Sequence, residues 1–434
     1  MLFYFDICLL MSLKQKFKQN ISSKWLIIFS LVFAGEMIFS LPFHVIRIFR
    51  PTLLEVFALT NTEIGDSMAI YGIMAMLAYF PGGTLADHFS ARKLMSLSLF
   101  ATGIGGIYFA TIPEHTGVTL VFGWWGVTTI FLFWAAMIKA TREWGGKSSQ
   151  GRAFGLLDGG RGLVAAVTAS LAVYILSSIM PEQLEDASLE TKKQALVAVI
   201  YFYTALTFLA ALLVWIFIAD TEKSSSKTRE NIWLSLRKVL QNKVVWMQAI
   251  IVVCAYSAYK GLEYYTLYGV DVLGINEIDT AFFMSNALYL RAAGAIIAGF
   301  VVDRYSASKV IKWLFGTMVF TYLMLSFISP KQDIFWFIFA DIIITFLAVY
   351  GLRGVYFALL EETKISGYLT GTAVGLISVI GYTPDVFFNS IAGRIIDNSP
   401  GLKGHQDFYL LLAGFSISGL IATIILTILK TKEK

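Results

Sequence analysis

Several ionisable side chains stand inside runs of sequence that are otherwise apolar. They are Glu36, His44 and Arg47, then Lys139, then Asp158 and Arg161, then Lys260 and Glu263, then Arg291, then Asp341 and Arg353, and last Asp385. A charge in apolar surroundings is costly, so it faces a partner, a wet cavity or a bound solute. Two kinds of chemistry fit these residue types. Cations offer charge-assisted hydrogen bonds to an anion, which makes His44, Arg47, Arg161, Lys260 and Arg291 the candidate solute contacts. A buried carboxylate can take up and release a proton as its surroundings alternate, which makes Glu36, Asp158, Glu263, Asp341 and Asp385 the candidate proton carriers. The bland reading is a self-neutralised pair: Asp158 with Arg161, and Lys260 with Glu263, are spaced for a local pair on one helix face. Glu36, Arg291, Asp341 and Asp385 have no opposite charge within four residues, so their partners come from elsewhere. Arg291 is the sharpest case, because a guanidinium stays charged near neutral pH. Asp385 follows Pro384 in GYTPD, where a break in a helix frees backbone carbonyls.

The surrounding elements follow from composition. Of 434 residues, 57% are hydrophobic and 15% are charged, with mean hydropathy +0.70. A soluble domain carries about 25% charged residues, so a soluble enzyme is excluded. The net charge is only +5, which does not suggest nucleic acid. Cys8 and Cys254 give no disulfide framework or zinc spacing, and the four histidines form no HExxH pattern; no metal or cofactor is expected. GIGG at 103–106 follows no strand and is not a dinucleotide loop. Residues 1–10 lack the basic leader of a signal peptide, and Met11 opens a plainer start. Runs of about 20 apolar residues, enough to span a bilayer, fall near 25–49, 64–86, 94–112, 117–138, 153–179, 196–219, 244–268, 280–302, 310–329, 334–357, 371–395 and 407–430. They predict twelve helices in an all-α integral membrane protein. The one long polar stretch, ADTEKSSSKTRENIWLSLRK at 219–238, divides them six and six. The expected organisation is a segment 1–24, a bundle 25–219, a linker 220–243, a bundle 244–430 and a tail 431–434. Lys and Arg concentrate in alternate loops and in the linker, which puts both termini in the cytoplasm. The third, sixth, ninth and twelfth runs carry no internal charge and read as lipid-facing support, leaving the others to line a polar pathway. The glycines Gly151, Gly155 and Gly159, with Gly371 and Gly375, recur every four residues and read as close helix packing.

The halves echo each other. GTLADHFSARK at 83–93 returns as GFVVDRYSASK at 299–309, and GRAFGL at 151–156 as GTAVGL at 371–376. On this pattern the chain resembles the major facilitator superfamily over its whole length. Gly83, Asp87, Arg92 and Lys93 match the signature between spans two and three, and Gly299, Asp303, Arg304 and Lys309 form the weaker copy. Ser90 and His88 depart from it, where glycine and arginine are usual. The resemblance implies two pseudo-symmetric six-helix bundles, with the signature carboxylates holding the inner gate. The 216-residue offset sets His44 opposite Lys260 and Arg47 opposite Glu263. Cations contributed from spans one and seven are similar to those of the organophosphate and organic-anion members, which clamp an anion there. GGRGLVAAVTASL at 159–171 lacks the proline that drug exporters carry in span five. The expectation is a monomeric transporter in the inner, or plasma, membrane. It would move a small anionic or zwitterionic solute, taken up with protons, as the bundles rock. The competing expectations are a sensor of the same fold, a nitrate/nitrite-type porter and a drug porter.

Overall fold

The computed structural model describes residues 22–146, 150–181, 187–220, 237–362 and 370–432, and among these the chain forms twelve helical rods and no strand. The first, α1, runs Ser22–Met37, passes through a π-helical turn at Ser40–His44 and continues as Val45–Val56. Then come α2 (Asn61–His88), α3 (Ala91–Phe109), α4 (His115–Gly145), α5 (Gln150–Ile179) and α6 (Leu189–Phe217). The second half holds α7 (Lys243–Asp271), α8 (Glu277–Arg304), α9 (Ala307–Phe327), α10 (Phe335–Ala358), α11 (Thr370–Gly381 with Pro384–Asn398) and α12 (Leu402–Lys432). Among the described residues, nine rods are long and apolar enough by themselves to cross a membrane, ten with the bent α1. The chain is a multi-pass membrane protein with the twelve-helix fold.

Local chemistry sets the boundaries. Thr60 and Glu63 form a capping box at the start of α2, each side chain bonding the other's backbone N–H. Ser188, Asn242 and Asn276 cap α6, α7 and α8 through side-chain oxygens. Breaks fall beside polar residues that matter later. The π turn of α1 contains Pro42 and ends on His44, and α7 tightens to a 3-10 turn at Leu262–Tyr264, just past Lys260. In α11, Pro384 opens the second segment. Such irregular turns leave backbone groups unpaired, which is tolerated at membrane depth only inside protein or beside water. The expected end of the first helix near 49 moves to Val56. Phe49 leaves helical geometry, and Pro51 then falls where a fresh helical turn begins.

One apolar core lies in the second half, running from Val239 to Leu426; of two others built mainly from the first half, one also takes in Ala281 and Leu288 of α8. Phe300, Phe320, Phe327 and Trp336 are each at least 70% exposed, an outer surface suited to lipid rather than water. Gly103 and Gly105 in α3 allow close packing against Phe208 and Trp125, and the indoles of Trp124 and Trp125 donate to Ala101 O and Thr102 O. The GIGG segment is therefore a helix-packing feature.

The two ends of the molecule differ. At the end far from the linker the halves touch closely. A Cβ on Gly65, Gly72 or Gly393 would stand only 2.3–2.4 Å from the backbone oxygens of Asn389, Asp385 and Asn61 respectively, so α2 and α11 meet backbone to backbone. Asp397 accepts from the Asn61 and Thr62 N–H groups at 3.3 and 2.6 Å, capping α2 from the other half. Asp66 accepts from Arg394 and Ser390, both at 2.7 Å, and Lys192 donates to Glu55 at 2.5 Å and Glu277 at 2.8 Å. At the linker end, nothing stands within 4 Å of a Cβ built on Gly155, Gly159 or Gly375. The close packing expected there is absent in this conformation: the faces of α5 and α11 carrying these glycines look into open space. Gly151 and Gly371 have side-chain positions outside the described residues.

Candidate functional site

Between the halves lies a cavity with about 860 Å³ of atom-free space, counting the solvent in its mouth. Its wall takes Glu36, Phe39, Phe43, His44 and Arg47 from α1, Tyr71 and Tyr79 from α2, Trp134 from α4 and Arg161 from α5. From the second half come Tyr256, Tyr259, Lys260 and Glu263 of α7, Arg291 of α8, Arg353 of α10, and Tyr382 and Asp385 of α11. Nearly every sequence-predicted solute contact and proton carrier is therefore in one place; Asp158 and Asp341 are the exceptions.

The charges form two linked clusters. In the first, the buried Glu36 carboxylate meets His44 Nε2 at 3.1 Å, Arg161 Nε at 3.1 Å and Arg291 Nη1 at 3.2 Å. His44 and Arg161 belong to the same half as Glu36, and Arg291 reaches across from the other. In the second, Glu263 accepts from Lys260 at 2.8 Å, Arg47 Nη2 at 3.4 Å and Asn389 Nδ2 at 3.1 Å. Lys260 also stands 3.4 Å from Asp385, which accepts from the Tyr256 hydroxyl at 3.1 Å. Arg47 and Glu263 are the repeat-related positions themselves, 216 residues apart, and they meet as an ion pair between halves. The local pair expected at Lys260 and Glu263 is present but extended by Arg47 and Asp385. A bare pair of cations facing each other from spans one and seven is not what forms, because carboxylates already sit between them.

Asp158 touches Arg161 Nη1 at 3.5 Å, yet its side chain is 78% exposed and is not part of the cavity wall. Asp341 lies on the opposite side of α10, in a separate shallow crevice against Thr317, Phe320 and Thr321 of α9. It was expected to line the pathway because it is charged, but its helix face turns it towards a peripheral helix. Its Oδ2 is buried with no hydrogen-bond partner. Lys139 also leaves the pathway: it donates to Ala86 O at 2.9 Å and Phe89 O at 3.5 Å, closing the end of α2.

At the signature segment, Arg92 Nη2 and Lys93 Nζ stand 2.6 and 3.6 Å from Asp220 Oδ2, within one half. The side chain of Asp87 lies outside the described residues. Gly83 and Gly299 face open space. Asp303 and Arg304 are exposed, and the Lys309 ammonium stands 5.1 Å from both the Tyr305 and Trp313 rings.

Sequence reasoning counted Arg353 among the charges inside apolar runs but gave it no solute contact, and read the tyrosines around it as packing. The Arg353 guanidinium stacks on the Tyr259 ring, 3.8 Å from its centroid, and its Nη1 is buried without a partner. The test that singled out Arg291, an arginine inside a span with no carboxylate within four residues, also selects Arg353.

A charged cavity enclosed between two six-helix bundles is the architecture of a membrane solute transporter. The chain belongs to the Major Facilitator Superfamily, whose family model matches residues 26–388. It is 29% identical to the inner membrane protein YihN of Escherichia coli strain K12 over 413 residues, covering 93% of this chain and 95% of that one. It is 27% identical to the inner membrane protein YqcE of the same organism over 416 residues, covering 93% and 94%. A crystal structure of a bacterial homologue of the human lysosomal transporter Spinster, in an inward-facing and occupied conformation, shares the fold. Its TM-score is 0.71 at 13% identity, over 94% of this chain and 97% of that one.

Proposed function

We propose that this protein is a secondary transporter of a small anionic solute, taken up with protons through alternating exposure of the central cavity. The observation that carries the reading is the shared carboxylate: Arg161 and Arg291, one from each half, both hold Glu36. A proton on Glu36 removes the counter-charge from both arginines and leaves them to an incoming anion, so proton and anion bind together. Loss of the Arg291–Glu36 bond also loosens one tie between the halves. The surplus of cavity cations over carboxylates supports an anion over a neutral or cationic solute. With the cation-rich loops and the linker in the cytoplasm, the open end faces inward and the closed α2–α11 end faces outward. Both termini are then cytoplasmic, in a plasma or inner membrane, and the chain works as a monomer.

The test is uptake into proteoliposomes of small anions, zwitterions and neutral sugars under an imposed pH gradient. Accumulation of an anion that collapses when the gradient is dissipated supports the reading. Uptake of neutral or cationic compounds alone overturns it, and anion uptake indifferent to the pH gradient removes the proton.

A further inference from the structure

We infer that Arg353, with Arg47 facing it from the other half, is the principal anion anchor of the cavity, and that the solute is a small organic dianion. This rests on the anion-transport reading above and narrows it. Four of the five cavity cations already hold carboxylates: Arg47 and Lys260 share Glu263, and Arg161 and Arg291 share Glu36. Among the described residues Arg353 has no ion-pair partner. Ring stacking is a weak substitute for a counter-charge in a low-dielectric wall.

Arg47 reaches the same tyrosine from the other half. Arg47 Nη1 donates to the Tyr259 hydroxyl at 3.1 Å, and its guanidinium carbon stands 4.8 Å from the ring centroid. Arg47 Nε is buried and unpartnered, as is Arg353 Nη1. One guanidinium N–H from each half, on α1 and α10, is therefore left without an acceptor beside Tyr259. The Tyr350 hydroxyl, also unpartnered, belongs to a ring 6.4 Å from that of Tyr259. Phosphate, sulfonate and carboxylate heads all supply the oxygens this donor set lacks. An anion bridging Arg47 and Arg353 draws the halves together.

The charge count sets the valence. With His44 neutral, and with Asp158 outside the wall and largely in solvent where it touches Arg161, five cations face the carboxylates of Glu36, Glu263 and Asp385, leaving an excess of two. A monoanion leaves a positive charge uncompensated, whereas a dianion balances the wall. A proton on Glu36 raises the excess to three, against which a dianion leaves one positive charge and a monoanion two.

The experiment follows the melting temperature of purified wild-type protein, Arg353→Gln and Arg353→Lys at pH 8 and constant ionic strength. The probes are succinate and glycerol phosphate as dianions, propionate and nitrate as monoanions, and glucose and choline. At least one dianion should stabilise the wild type, with binding weakened about tenfold or more in Arg353→Gln and less in Arg353→Lys. Without any probe, Arg353→Gln should melt no lower than the wild type, since an uncompensated cation has gone. Monoanions that bind as well as dianions, or no dianion that binds at all, overturn the valence and leave an anion solute standing. Arg353→Gln that melts lower and keeps the full dianion response makes Arg353 a packing residue. Stabilisation by glucose or choline alone defeats both this inference and the anion-transport reading.

Discussion

Glu36 accepts from three side chains at once, Arg161, Arg291 and His44, which leaves it little capacity for anything but a proton. Glu36→Gln mimics the protonated state and fixes it. Solute exchange across vesicles without a gradient should then continue within a fewfold of wild type, while accumulation driven by a pH gradient is lost. Equal loss of both activities would assign Glu36 to solute binding or folding instead. Asp341 gives the opposite expectation. Its carboxylate is outside the cavity and half unpartnered, so Asp341→Asn should leave uptake within about twofold and raise the melting temperature, because a poorly paired buried charge is removed. Transport abolished by Asp341→Asn would contradict that placement. These two carboxylates look alike in sequence, each isolated in an apolar run. What separates them is which face of the helix each occupies, and the spans are apolar on every side, so periodicity does not reveal the inner face. The presence of charged site residues was legible; their pairing was not, since Glu36 and Arg291 stand 255 positions apart.

Helices are where glycine spacing acquires direction. Along α2 and α11, Gly65, Gly72 and Gly393 let backbones touch at the closed end. A methyl group at Gly72, 2.4 Å from Asp385 O, has no side chain to push aside and must part the two rods. Gly72→Ala should therefore shift the population away from this conformation. A thiol introduced by Gly155→Cys, which faces open space here, then labels several-fold more slowly from the linker end. Unchanged labelling would mean the seam tolerates a methyl group. The repeat and the broken eleventh helix were visible beforehand, because both are written in local sequence: the echo of GTLADHFSARK, and Pro384. The spacing at Gly155, Gly159 and Gly375 was equally visible and pointed to packing. A spacing motif marks a surface able to be approached closely, and which surfaces are in contact depends on the state the bundles occupy.

Over the whole molecule, the ties at the two ends differ in kind. At the closed end they cross between halves, through Asp397 to α2, Asp66 to Arg394, and Lys192, held by Glu55 of its own half, to Glu277. At the linker end, the Arg92–Asp220 pair and the contacts of Glu362 with Lys430 and Ser308 each stay inside one half. On the proposed rocking of the halves, the ties that cross between them break and those within each half are spared, which would keep each bundle rigid. Glu362 makes this testable by pH. Burial alone would raise its carboxyl, but hydrogen bonds from Lys430 and Ser308 and the Lys430 charge hold it below the ordinary 4.5. Its Oε1 also accepts the Ser308 N–H at 3.2 Å, in the first turn of α9. A carboxylate whose folded pKa is depressed stabilises the fold above its unfolded pKa and loses that contribution as pH falls through the folded value. From neutral pH to about 5, amide protection at the start of α9 and the end of α12 should stay constant. Below about 4 it should fall at both places together, while the core of α7 remains protected. Glu362→Gln should show the loosened pattern already at neutral pH, with uptake reduced less than about threefold, since this contact lies far from the cavity. If both helix ends exchange independently of pH and of this substitution, Glu362 does not fasten α9 and α12 together.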